Sequence, residues 1–170
     1  MTEERLGTIT PCYRIAFQRT SRHSPARLWA AITTSSEVSA WMGYPAAVDL
    51  RVGGGWHVDF SKTGGGDFPA VIVRIEPEQA LAYVLELSVV EWRIEAVGDG
   101  CRYSFVQSGL PDRGDNEEVL CAGWHAFLDQ LDNYLDGATL ETTEQPDNWE
   151  QLKSAYRELL VRALPNRIVA

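Results

Sequence analysis

The fold turns on one stretch, Val90-Glu91-Trp92-Arg93-Ile94-Glu95-Ala96-Val97-Gly98-Asp99-Gly100-Cys101-Arg102-Tyr103-Ser104-Phe105-Val106-Gln107. Val90, Trp92 and Ile94 alternate with Glu91, Arg93 and Glu95. After the Gly98-Asp99-Gly100 turn, Cys101, Tyr103, Phe105 and Gln107 alternate with Arg102, Ser104 and Val106. Period-two alternation on both sides of a glycine turn is the signature of an antiparallel hairpin with one buried face. Working backwards, Leu81, Tyr83, Leu85 and Leu87 form another such run, Ala70 to Ile75 is apolar throughout, and Trp56, Val58 and Phe60 alternate with His57 and Asp59. Val48, Leu50 and Val52 alternate with Asp49 and Arg51 ahead of Gly53-Gly54-Gly55, and Gly64-Gly65-Gly66 marks a second turn. Tyr13 to Arg19 reads as a first strand, so seven strands are predicted in an antiparallel meander.

Helical period replaces alternation in three places. Ser24-Pro25 caps a short helix with Leu28, Trp29 and Ile32 on its apolar stripe, and a second, capped by a serine, runs from Ser36 to Met42 with Trp41 near its end. From Glu117 to Asp136, Leu120, Trp124, Phe127, Leu128, Leu131 and Leu135 share a face, and Gly137 stops the helix. Past a polar link, Trp149, Leu152, Tyr156, Leu159 and Leu160 define a last helix from Asp147 to Leu164.

A sheet with one apolar face must bury it, and the helix ending at Gly137 has the only stripe long enough. The predicted class is therefore α+β, with a curved antiparallel sheet gripping a long helix over residues 1–138 and a linker with an extra helix over 139–170. A curved sheet cannot touch a straight helix along its whole length, so a space is expected between them. Trp56, Val58, Phe60, Tyr83, Leu85, Trp92, Tyr103, Phe105 and Gln107 face that space from the strands, with Cys121, Trp124 and His125 facing them from the helix and Trp41 nearby. Six tryptophans in 170 residues supply large apolar area with polar tips, which suits a pocket for a small apolar ligand as well as a solid core.

Charge and motifs exclude other classes. The net charge is −9, and nearly all of it falls between Asp112 and Glu150, where eleven acids meet one base, Arg113. A nucleic-acid binder needs the opposite balance. No apolar run reaches the length of a membrane span, and the first ten residues carry no secretory pattern. Cys12, Cys101 and Cys121 are odd in number and lack CxxC spacing, so a cytoplasmic location and no disulfide framework are expected. His57-x-Asp59 alternates with the inward aromatics and so faces outward, away from His125 and Asp129, and neither a metal site nor any other cofactor is expected. Glu91, Arg93, Glu95, Arg102 and Ser104 likewise belong to the outer face as solvated charge pairs. Gln107 is the polar exception on the inward face: it orients a ligand or bonds to backbone near the strand end. The glycine triplets lack the Lys-Ser/Thr of a phosphate loop, and no catalytic constellation stands out.

The chain resembles the START-like (SRPBCC) superfamily and, within it, proteins similar to the activator of heat-shock protein 90 ATPase. The resemblance rests on Ser24-Pro25-Ala26-Arg27-Leu28-Trp29-Ala30-Ala31-Ile32, Trp41, Asp49-Leu50-Arg51-Val52-Gly53-Gly54, Ile75-Glu76-Pro77 with Leu81, Gly109-Leu110, and Gly123-Trp124 with Leu128, Leu131, Tyr134, Leu135 and Gly137. It spans about Tyr13 to Gly137 and implies a helix-grip fold with an internal cavity. The final helix lies outside the usual pattern. Three roles follow as expectations: a module binding a small hydrophobic or lipid-like ligand, a polyketide cyclase or aromatase-like enzyme with Gln107, Tyr103 and His125 as polar contacts, and a chaperone ATPase activator presenting an acidic patch. For the last helix, packing on its own domain, pairing as a homodimer through Trp149, Tyr156 and Leu160, and closing as a lid are all open.

Overall fold

In the computed structural model, which describes residues 8–10, 14–61, 67–109, 117–138 and 146–163, the alternation resolves into an eight-stranded sheet. The strands are β1 (Thr8–Thr10), β2 (Arg14–Ser21), β3 (Ala46–Val48), β4 (Gly55–Asp59), β5 (Asp67–Glu76), β6 (Ala80–Leu85), β7 (Ser88–Val97) and β8 (Gly100–Ser108). The helices are α1 (Pro25–Thr33), α2 (Ser35–Met42), α3 (Glu117–Leu135) and α4 (Trp149–Ala163). The order β1-β2-β8-β7-β6-β5-β4-β3 is antiparallel at every step, so β3 to β8 form a meander and β2 closes onto its last strand. Tyr13, Cys12 and the Gly64–Gly66 turn fall outside the described residues.

Two strand assignments differ from the alternation. Thr8–Thr10 adds an edge strand on β2 that three polar-flanked residues did not announce. The strand predicted through Val52 ends at Val48, and Leu50 and Val52 are 42% and 64% exposed. The reason lies in the backbone, because Asp49 to Gly54 fold on themselves, with Arg51 N–H donating to the Asp49 carbonyl at 2.7 Å and Gly54 N–H to that of Arg51 at 2.8 Å. A Cβ on Gly54 would sit 2.1 Å from the Asp49 carbonyl oxygen, so this turn requires glycine.

The short helices are set as their sequences suggest. The Ser24 hydroxyl accepts the Arg27 N–H at 3.3 Å, and Pro25 occupies the first turn, where its missing N–H costs nothing. Gly43 ends α2 in the left-handed region at φ 75°. The Ser35 hydroxyl does not cap α2, however. It accepts the Val48 N–H at 2.9 Å and so ties α2 to β3.

The concave face of the sheet grips α3. Phe17, Ile72, Tyr83, Trp92, Tyr103 and Phe105 meet Cys121, Leu128, Leu131 and Leu135 in one buried cluster, which also takes in Leu152 and Tyr156 of α4. Of the three readings for the last helix, its packing is therefore within the chain. Leu152, Tyr156 and Leu160 are at most 5% exposed, while Trp149 is half-buried, so Tyr156 and Leu160 of that face pack inside the chain. The outer face of the sheet carries ion pairs, with Arg74 and Arg93 on Glu91 and Arg102 on Glu95.

Candidate functional site

The inward aromatics divide into two layers. Towards the α1 end, Trp92 packs edge-on to Phe105 with centroids 5.0 Å apart and stacks near Tyr103 at 6.2 Å, and these large rings fill the space between sheet and helix. Towards the β6–β7 turn the filling stops. Here a half-open cavity of about 420 Å³ lies between β4, the β6–β7 turn, the end of β8 and α3 from Val119 to Gln130. Trp56, Val58, Phe60, Leu85 and Gln107 line it from the strands and Trp124 from α3. Met42, Tyr44, Val119, Leu120, Ala126, Phe127 and Gln130 complete most of the wall, and Pro146 and Trp149 bring the start of α4 to its edge.

Trp41, Tyr83, Trp92, Tyr103, Phe105, Cys121 and His125 stand off this wall, each at most 2% exposed within the core. Alternation identifies the face of a strand but not the point along it at which the helix draws away, so it could not separate these two sets. Tyr83 supports the wall from behind by stacking on Trp56, 4.8 Å apart and 8° from parallel. Trp41 and Trp56 donate their indole N–H groups to the carbonyls of Ala31 (2.9 Å) and Ile32 (3.0 Å), which the last turn of α1 leaves without helical partners. Cys121 is inert as a nucleophile, because burial first, and then Glu117 and Glu118, push its thiol up to about 12.

The polar side chains on the wall differ in how they are satisfied. The Gln107 Oε1 accepts the Trp124 indole N–H at 2.7 Å, and its Nε2 donates to the Ser88 hydroxyl at 2.8 Å, which in turn donates to the Leu85 carbonyl at 2.9 Å. The sequence left Gln107 between a ligand and the backbone, and the structure gives it two side-chain partners. Gln130 is the reverse case, since its Oε1 is buried and, among the described residues, has no hydrogen-bond partner. Gly123 faces the cavity from the middle of α3, and a Cβ there would meet nothing within 4 Å. Gln130 and Gly123 were missed in the sequence; the signal that could have found them is the stripe Leu120, Gly123, Phe127 and Gln130, spaced by three or four residues.

His125 stands away from the mouth of the cavity. Its ring, 1% exposed, lies 2.9 Å from the Tyr156 hydroxyl through Nδ1 and 3.3 Å from Asp129 through Nε2. Asp129 shares Arg19 with Asp132, at 2.7 and 2.9 Å, and Asp132 accepts the Tyr103 hydroxyl at 2.7 Å. Burial works against the Arg19 charge, but Tyr103, Asp129 and Asp132 outweigh it and raise its pKa. This network joins β2, β8, α3 and α4. His57 and Asp59 lie across β4 from Trp56 and Val58, on the opposite face from His125.

Comparison with known proteins places this geometry. The sequence model described as activator of Hsp90 ATPase homolog 1-like protein matches residues 22–136. No curated protein matches the chain in sequence. Among solved structures, EF2215 from Enterococcus faecalis, a conserved protein of unknown function, superposes with a TM-score of 0.76 at 16% identity over 92% of this chain and 90% of its own. CalU16 from Micromonospora echinospora gives 0.67 at 21% identity, over 91% and 94%. The Aha1 dimer from Colwellia psychrerythraea gives 0.65 at 18% identity, over 72% and 95%. These identities establish the shared helix-grip fold and leave activity aside. With the family match running from the β2–α1 connection through α3, over two thirds of the chain, the chain belongs to the family of activator of Hsp90 ATPase homolog 1-like proteins.

Proposed function

We propose that this protein binds a small, largely apolar ligand between its sheet and α3. The observation that carries the reading is the cavity of about 420 Å³, within the size range of small-molecule sites and lined mainly by aromatic and aliphatic side chains. Gly123 adds to it, because glycine inside a helix costs about 1 kcal/mol against alanine, and what it leaves here is open space on the cavity wall. A neutral solvatochromic naphthalene dye such as Prodan tests the reading. Saturable binding with a blue-shifted emission is expected in the native protein, and its loss in Gly123→Leu with the circular dichroism unchanged. An emission that stays as in water would overturn it.

The family match favours a second reading, a chaperone-associated role like the one the family is described by. Stimulation of a heat-shock protein 90 ATPase by the purified protein tests it directly, and no stimulation at saturating protein removes it. The acidic stretch lends this reading little. Asp129 and Asp132 are engaged by Arg19, Asp136 by Arg22 and His23, Glu118 by Arg157, and Glu150 by Lys153.

A further inference from the structure

The cavity wall falls within residues 22–136, matched by the family, except for Pro146 and Trp149, which belong to the approach and first turn of α4. Trp149, Leu152, Tyr156 and Leu160 follow one another at three or four residues, so they share one face of that helix. Leu152, Tyr156 and Leu160 are buried in the core, whereas Trp149, at the start of the stripe, is half-buried and stands at the cavity edge. The docked face of α4 thus runs past the core onto the cavity wall. The other two tryptophans of the wall are fixed by the core, Trp56 through the Ile32 carbonyl and its stack on Tyr83, and Trp124 through Gln107. Trp149 is held from its own helix, with the Lys153 ammonium 6.0 Å from its ring centre and paired with Glu150 at 2.7 Å. Its place at the cavity therefore depends on α4 staying docked. With 15 residues, α4 has a length at which an isolated helix is marginal in water, so docking supplies its stability. Two polar contacts fasten it, Tyr156 with His125 at 2.9 Å and Arg157 with Glu118 at 3.0 Å, and these four residues stand off the cavity wall.

We infer that Trp149 is a ligand-contacting residue supplied from beyond the family's matched segment and that, through it, occupancy of the cavity and docking of α4 are coupled. A guest that touches Trp149 gains that contact only while α4 is docked, and whatever binds the docked state alone favours it. The coupling is reciprocal, since docking tightens the guest by the factor by which the guest tightens docking. The inference rests on the ligand-binding reading and names the element that regulates it.

Hydrogen exchange of the α4 amides, with and without saturating Prodan, tests it. The dye is set at the same multiple of its own dissociation constant for each variant, so that occupancies match. In the native protein the dye should slow exchange from Leu152 to Leu160 by about five- to tenfold, the scale on which one aromatic contact counts. Trp149→Ala should bind the dye more weakly by the same factor, and at equal occupancy its α4 amides should not be slowed. Trp149→Phe, which keeps a ring at the cavity edge, should retain part of both effects and shows that the loss in Trp149→Ala is not a loss of fold. Equal slowing in the native protein and Trp149→Ala, no slowing in the native protein, or unchanged affinity in Trp149→Ala would overturn the coupling while leaving a ligand site standing. No uptake of Prodan by the native protein would remove the ligand-binding reading and the coupling with it.

Discussion

Two indole N–H groups from distant parts of the chain finish the last turn of α1, and they show what the tryptophans do besides fill space. Trp41 and Trp56 reach the Ala31 and Ile32 carbonyls while their rings bury in the core and the cavity wall. Trp41→Phe keeps an aromatic ring but orphans a buried carbonyl and empties part of the indole's volume, so a loss of at least about 1–3 kcal/mol is expected, read as a lower denaturant midpoint with an unchanged slope. Gly54 makes the complementary point about backbone. Its absent side chain is where the Asp49 carbonyl oxygen lies, so Gly54→Ala should cost a comparable amount, whereas Gly123→Ala, which meets nothing and improves a helix interior, should raise the melting temperature. If Gly54→Ala proved as stable as the native chain, the turn geometry at Asp49–Gly54 would be wrong. At this scale much was legible: Ser24-Pro25 announced the start of α1, and the alternation placed Trp56, Val58, Phe60, Leu85 and Gln107 on the concave face. Gln130 was not, because a glutamine in an acid-rich helix reads as a solvated residue until the opposite wall is known.

Among the elements, α4 is the addition that changes the site. It lies beyond the residues matched by the family, yet its Leu152, Tyr156 and Leu160 complete the core, and Pro146 and Trp149 reach the cavity edge. Its anchor is specific, a hydrogen bond between Tyr156 and the buried His125 of α3, with Arg157 on Glu118 at 3.0 Å beside it. Tyr156→Phe removes that bond and should cost about 1 kcal/mol, or a fall of about 2–4 °C in melting temperature at this chain length. Hydrogen exchange should show the protection lost mainly from α4, and a loss spread evenly over the sheet would contradict this anchoring. The apolar period gave α4 its length and its buried face. It could not name the partner of that face, since the contact joins residues 31 apart in sequence. The strand that ended at Val48 instead of Val52 failed for a similar reason, as two apolar residues in alternation weigh less than the turn hydrogen bonds that compete for the same backbone.

For the molecule as a whole, the buried thiol and phenols are held neutral while the buried Arg19 is answered by Asp129 and Asp132. Burial raises the Cys121 thiol to about 12, and it also raises the Tyr83 phenol, against a smaller opposite pull from Trp92, and that of Tyr103, with Asp132 adding to the effect. Each group is neutral in the fold with its pKa above the unfolded value. Its stabilisation is therefore complete below the unfolded value and is lost as pH climbs towards the folded one. For Cys121 that window runs from 9.0 to about 12. The melting temperature of the native protein should fall more steeply above pH 9 than that of Cys121→Ala, and parallel curves would show that the thiol is not shielded. The net charge of −9 looked like a patch in the sequence, but basic partners on β2, α4 and the β2–α1 connection answer the acids of α3. What the fold leaves unfilled is the cavity beside Trp124. Native mass spectrometry of gently purified protein tests its purpose most directly. The expected result is a small-molecule mass retained by the native chain, released on denaturation and missing from Gly123→Leu. A bare polypeptide mass from the native protein, together with no uptake of added neutral aromatic compounds, would contradict the ligand-binding role.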